Sequence, residues 1–169
     1  VSTNTDLSYF WHTKPTTMLI GLLHFHSLLR WILLLLLITV VIKALQGRSG
    51  GKTFEPGDRK LSLFTLISAH LQLVLGAFLY MVSPTVQQAL QNMGATMKDG
   101  INRFWAVEHI TMMILSIALI TIGHIKAKKA TTDQDKFKAQ ALYFTIALLL
   151  ILVAIPWPFR EVGMGRGWF

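Results

Sequence analysis

Residues 31–42 read WILLLLLITVVI, an apolar run in which Thr39 is the only hydroxyl-bearing residue. The run lies inside a longer hydrophobic segment, residues 18–45, that a few polar side chains interrupt. A helix needs about 20 mainly apolar residues to cross the hydrocarbon core of a bilayer. The segment is therefore long enough to span a membrane and to tilt within it.

Three further segments are also mainly apolar and long enough to span a membrane: residues 61–83, 103–125 and 137–155. Turn and cap signals separate them. The second segment lies between Glu55-Pro56-Gly57-Asp58 and Pro84, and the third follows Asp99-Gly100 and Asn102. The fourth follows Thr132 or Asp133 and ends at Pro156-Trp157-Pro158. The sequence therefore predicts an all-α fold, an integral membrane four-helix bundle, with residues 1–169 forming a single transmembrane domain.

Composition supports a lipid environment. Hydrophobic residues make up 53% of the 169 residues and charged residues 14%, whereas soluble domains carry about 25% charged residues. The mean hydropathy is +0.51. Because the chain has no cysteine, disulfides, iron–sulfur clusters and covalently attached haem are excluded.

The net charge of +8 does not indicate a nucleic-acid partner, because the basic residues cluster in two connections between apolar segments. The first cluster is Lys43, Arg48, Lys52, Arg59 and Lys60, and the second is Lys126, Lys128, Lys129, Lys136 and Lys138. The segments on the opposite side of the membrane contain Lys14, Lys98, Arg103, Arg160 and Arg166. The positive-inside rule places the two basic clusters in the cytoplasm. We therefore predict a multi-pass protein of a bacterial inner (cytoplasmic) membrane with both termini outside. Residues 86–90 on the outer side form either a short surface helix or a plain loop.

Ionisable side chains inside the predicted spans are the main functional signal. Each costs about 2.5–3.5 kcal/mol at the centre of a membrane helix on insertion scales, so a concentration of them needs a reason. They are His24, His26, Arg30, His70, Glu108 and His109. The glycines at positions 76 and 123 are expected to allow close helix approach.

Counting about 1.5 Å per residue from the outer boundary, His24, His26 and His109 share a level about 9–12 Å deep. His70 and Arg30 lie deeper, at about 18–20 Å. Imidazoles at one level on two helices of a bundle can bind one haem iron from opposite faces. We therefore predict haem b held by His26 and His109, with His24 and His70 as alternate ligands.

Arg30 or Arg103 is the predicted partner of the haem propionates. Alternatively, Arg30 pairs with Glu108 inside the membrane, which would neutralise both charges. Glu108 is also a candidate proton acceptor if quinol is oxidised nearby.

Structural roles compete with this interpretation, because a histidine in a membrane helix can simply bond to a neighbouring helix. The chain would then be a cofactor-free accessory subunit that anchors a larger membrane complex. A weaker alternative is a transporter or metal-handling protein with His and Met ligands, although four spans without broken helices or repeat symmetry argue against transport.

Three segments resemble a family of small four-helix membrane proteins of Bacteroidota-type bacteria labelled "cytochrome b". The segments are LHFHSLLR (23–30), HLQL (70–73) with the following Gly76 and Ser83-Pro84, and RF (103–104) with VEH (107–109) and Met112-Met113. The resemblance extends from Leu19 to Phe159 and implies b-type haem. Together, residues and resemblance predict an electron-transfer subunit of a respiratory complex rather than a stand-alone enzyme. The expected partners are the lipid bilayer, other membrane subunits and quinone.

Overall fold

A computed structural model describes the chain from residue 5 to residue 163, with side chains described from residue 17 onward. Within that part all regular structure is helical and no strand occurs. Helix α1 covers Thr5–Gly50 and α2 covers Pro56–Val82; after short helices α3 (Pro84–Gln91), α4 (Met93–Thr96) and α5 (Gly100–Arg103) come the long helices α6 (His109–Lys129) and α7 (Asp133–Ala154). The prediction of an all-α fold is confirmed.

The ends of the long helices follow from capping chemistry. Ser83, next to Pro84, ends α2, and its side chain then accepts from the Val86 backbone N–H to begin α3. Thr132 rather than Asp133 caps α7, because its hydroxyl accepts from the Asp135 N–H at 3.1 Å. Asp99 caps α5 in the same way, accepting from the Asn102 N–H at 2.7 Å.

Two local features differ from a simple four-segment pattern. Residues 86–90 lie in α3, so the helical alternative holds, and the buried side chains Val86 and Ala89 fix that helix against the long ones. Residues 103–125 are not one uniform α-helix, because Phe104–Glu108 form a π-helical turn before α6 begins. A π-helical turn changes the direction in which the following side chains point.

The long helices contact one another in a closed order: α1 with α2 and α7, and α6 with α2 and α7. Their common core is apolar, and Leu37, Ile120 and Phe144 are completely buried in it. The outward faces are apolar as well, since Leu35 is 69% exposed and Val74 is 67% exposed. An exposed apolar surface of this size is unfavourable in water. Within the described residues, four helices are long and apolar enough to cross a membrane.

Candidate functional site

Two neighbouring cavities lie between the N-terminal part of α1, the C-terminal part of α2 and the beginning of α6. Their volumes are about 210 and 230 Å³. We call the two together the cleft, because they share a set of lining residues: Leu23, His26, Gln72, Trp105, His109 and Met113. Two of the four candidate histidines, His26 and His109, therefore come from different helices to the same space.

His26 lies in contact with α2 through the amide of Gln72. The Gln72 side-chain nitrogen lies 3.1 Å from His26 Nε2 and donates to the His26 carbonyl oxygen at 3.0 Å. Two buried polar atoms in this pair have no hydrogen-bond partner among the described residues, His26 Nδ1 and Gln72 Oε1. An unsatisfied buried polar atom costs about 1–3 kcal/mol, so this pair of side chains lowers the stability of the fold unless it gains a further hydrogen-bond partner.

The backbone at Gly76 makes room for the His26 ring. A Cβ atom added to Gly76 would lie 3.2 Å from His26 Cε1. Real Cβ atoms rarely approach a neighbour so closely, so the imidazole would have to shift by a few tenths of an ångström. The sequence predicted a close approach of another helix at this glycine. In the structure the group that approaches α2 there is the His26 side chain.

His109 is the first residue of α6, directly after the π-helical turn. Its Nδ1–H donates to the Ala154 carbonyl oxygen at 2.8 Å, so Nε2 is the nitrogen that carries the lone pair. The rings of Phe104 and Trp105 lie with their centroids 5.8 Å from the imidazole centroid. A backbone carbonyl on the second nitrogen is the arrangement that usually orients a metal-binding histidine.

Tyr80 stabilises the π-helical turn from α2. Its hydroxyl donates to the Ala106 carbonyl oxygen at 2.8 Å, and π-helical turns leave backbone groups in need of such partners. Tyr80 also lines one of the two cavities. The turn that positions His109 is thereby tied to the wall of the cleft.

The structure separates the two alternate histidines from this pair. His70 is exposed on α2 and outside the lining of the cleft, and its Nδ1–H donates to the carbonyl oxygen of Leu66 one turn earlier at 2.9 Å. His24 is exposed and borders one cavity only. Of the four predicted ligands, His26 and His109 line both cavities, His24 lines one of them, and His70 lines neither.

The two charged candidates, Arg30 and Glu108, lie in different surroundings. Arg30 lines the same cavity as His26 and His109, and its guanidinium carbon lies 5.3 Å from the centroid of the Trp31 ring. Glu108 pairs with Arg103, whose Nε lies 2.6 Å from the carboxylate. Glu108 therefore has a cation five residues earlier in its own chain, and the alternative of an ion pair between Arg30 and Glu108 stays a prediction.

Sequence reasoning missed Gln72, Trp105 and the structural role of Tyr80. A search restricted to ionisable side chains passes over a neutral amide, although burying an amide without a partner in hydrocarbon is also costly. Gln72 lies two residues after His70 in the second predicted span, so the same cost argument applied to all polar side chains would have found it.

Within the described part of the chain, no group of three or more His, Asp or Glu side chains is placed to hold a metal ion; a haem iron takes at most two axial ligands from the protein. No protein-family model, no curated protein and no solved structure matches the chain. The contacts in the cleft are therefore the basis for a functional assignment.

Proposed function

We propose that this chain is a b-type haem-binding electron-transfer protein of the bacterial inner membrane. It would act as a small subunit of a respiratory complex that exchanges electrons with quinol or a periplasmic carrier. The observation that supports the proposal is the meeting of His26 from α1 and His109 from α6 at one apolar cleft. The resemblance to the family labelled "cytochrome b" points to the same cofactor.

The proposal includes an arrangement in the membrane. The four long helices cross the bilayer as a bundle, with the end that carries Lys60 and Lys129 in the cytoplasm and both termini outside. The positive-inside rule supports this direction, and the apolar outer faces of the helices support the embedding. The cleft then lies in the outer half of the bilayer.

The residues of the cleft suit a haem group. The cleft is walled mostly by apolar side chains, and His26 Nδ1 is a buried nitrogen with no hydrogen-bond partner among the described residues. His26 and His109 would hold the iron, and Arg30 would neutralise a propionate from the wall they share. A haem with two imidazole ligands supplies reversible one-electron transfer.

The chain itself would orient the two imidazole rings and exclude water from the cleft. Gln72 and Ala154 hold the two imidazole rings by hydrogen bonds, which fixes their orientation before the cofactor enters. Leu23 and Met113 form part of the apolar wall. An apolar wall that excludes water favours the less charged state of a redox group.

The four histidines provide a test with internal controls. His26→Ala and His109→Ala should lose most bound haem, because each removes one of the two converging rings. His70→Ala removes an exposed imidazole that lines neither cavity and should retain bound haem. His24→Ala removes an imidazole that borders one cavity only and should retain most of it. The measurement is the Soret absorbance and extractable haem of protein purified in mild detergent, with circular dichroism to verify helix content.

Retention of haem in both His26→Ala and His109→Ala would contradict the proposed ligands. Wild-type protein without a Soret band and without extractable haem would reject the cofactor altogether. The cofactor-free accessory subunit would then be the remaining interpretation.

Glu108 has a narrower proposed role, as a proton acceptor near the cleft, although its side chain is not part of the lining of either cavity. It precedes His109 directly and is only partly buried, so a proton it received could pass to the outer solvent. Glu108→Gln should slow quinol oxidation while leaving the Soret band intact. Unchanged quinol turnover in this variant would reject the role.

A further inference from the structure

A third cavity lies at the opposite end of the long helices from the cleft, where both basic connections meet. Its volume is about 390 Å³, within the range of small-molecule sites. The lining comes from the turn before α2, the first turns of α2, the last turns of α6 and the beginning of α7: Phe54, Glu55, Pro56, Arg59, Ser62, His124, Ala127, Lys128, Ala130, Lys136 and Gln140. We call it the basic cavity.

The charge balance of the basic cavity is positive. Arg59, Lys128 and Lys136 contribute three cations from three helices, against the single carboxylate of Glu55. Lys136 is already paired with Asp133 at 2.8 Å. Across residues 17–163, neither Arg59 nor Lys128 forms a salt bridge with a carboxylate.

Two buried polar side chains belong to the lining of the cavity. Ser62 and Gln140 are buried side chains, and the Ser62 hydroxyl lies 2.9 Å from His124 Nδ1. Buried hydroxyl and amide groups between membrane helices need partners. A wall of neutral hydrogen-bonding groups below a rim of cations suits a ligand with several acceptor oxygens and a negative charge.

We propose that the basic cavity binds a phosphate group, supplied by an anionic phospholipid headgroup or by free phosphate. Arginine and lysine are the side chains that bind phosphate oxygens most strongly. Basic pockets between membrane helices on the cytoplasmic side are suited to anionic lipid headgroups. This site does not depend on haem binding in the cleft, and the two proposals can fail separately.

The chain offers a charge-matched control, because each unpaired cation of the cavity has a basic neighbour outside its lining. Arg59→Gln with Lys128→Gln removes two cations from the cavity, and Lys60→Gln with Lys129→Gln removes two from the same helix ends. Binding of phosphatidylglycerol to delipidated protein is measured by native mass spectrometry, with phosphatidylcholine as the neutral comparison. The cavity variant should bind phosphatidylglycerol about tenfold more weakly than wild type, and the control variant within about twofold.

Inorganic phosphate distinguishes the two sources. If it displaces phosphatidylglycerol at millimolar concentration from wild type but not from the cavity variant, the site takes the free anion; if only the lipid binds, the headgroup is the ligand. Equal weakening in the cavity and control variants, or equal binding of both lipids by wild type, would overturn the proposal. Lys128→Gln alone, at an exposed position, provides the same comparison should the double variant fail to fold.

Discussion

The four long helices pack differently in their two halves. Towards the basic end, α6 and α7 come so close at Gly123 that an added Cβ would lie 2.7 Å from Tyr143 Cβ and 2.9 Å from Phe144 Cε1. Towards the other end the helices separate around the cleft, and at Gly76 the nearest neighbour is the imidazole of His26 rather than another helix.

The difference shows how one residue type serves two purposes. In the closely packed half, glycine increases dispersion contacts between helices, which drive association in a membrane where the hydrophobic effect is absent. In the cleft half, glycine gives space to the His26 ring, and within residues 17–163 buried polar atoms of His26 and Gln72 have no hydrogen-bond partner. The close contact between α6 and α7 at Gly123 therefore stabilises the fold, whereas the pair of His26 and Gln72 in the cleft has a cost in stability that a ligand could offset.

The largest effect on stability is expected in the closely packed half. Gly123→Ala must displace Phe144, which is completely buried, and overpacking of this kind costs about 1–3 kcal/mol. The measurement is the free energy of unfolding in mixed micelles, followed by circular dichroism.

Gly21→Ala is the matched control for that variant, because no atom lies within 4 Å of a Cβ added at Gly21. It measures the gain in helix propensity from alanine, which is up to about 1 kcal/mol in water. Equal unfolding free energies for Gly123→Ala and Gly21→Ala would mean that the contact at Gly123 is not tight, and the contrast between the halves would be lost.

Much of this fold could be predicted from the sequence because membrane spans follow from composition alone. The four apolar segments, the stop at Pro84 and the cap at Thr132 depend on neighbouring residues in the chain. The π-helical turn at Phe104–Glu108 does not. It depends on a hydroxyl from α2, that of Tyr80, so local patterns contain no signal for it.

The candidate site could be predicted only in part, for a related reason. Depth along the membrane normal follows from counting residues, and it placed His26 and His109 at a common level. Depth does not tell which way a ring points around the helix, so counting residues does not distinguish His24 from His26. The pairing of Glu108 with Arg103 was missed because the π-helical turn brings the two side chains together over five residues.

A smaller effect on stability, but a direct effect on function, is expected in the cleft half. Gly76→Ala places a methyl group 3.2 Å from His26 Cε1, and the ring can yield by rotating because only one of its nitrogens is held, by Gln72. We expect the free energy of unfolding to change by less than about 1 kcal/mol. Haem content or the position of the Soret band should change, since a catalytic or binding geometry tolerates only about 0.5 Å of displacement.

Gly76→Ala and Gly123→Ala should therefore give opposite results in the two measurements: lower stability with an unchanged spectrum at Gly123, and near-normal stability with an altered spectrum at Gly76. A loss of stability at Gly76 as large as that at Gly123 would show that α1 and α2 are as closely packed as α6 and α7. An unchanged spectrum with normal stability would show that the His26 ring is not the group that senses the cofactor. Either outcome would remove the distinction between the close helix contact at Gly123 and the ligand-binding role proposed for the surroundings of Gly76.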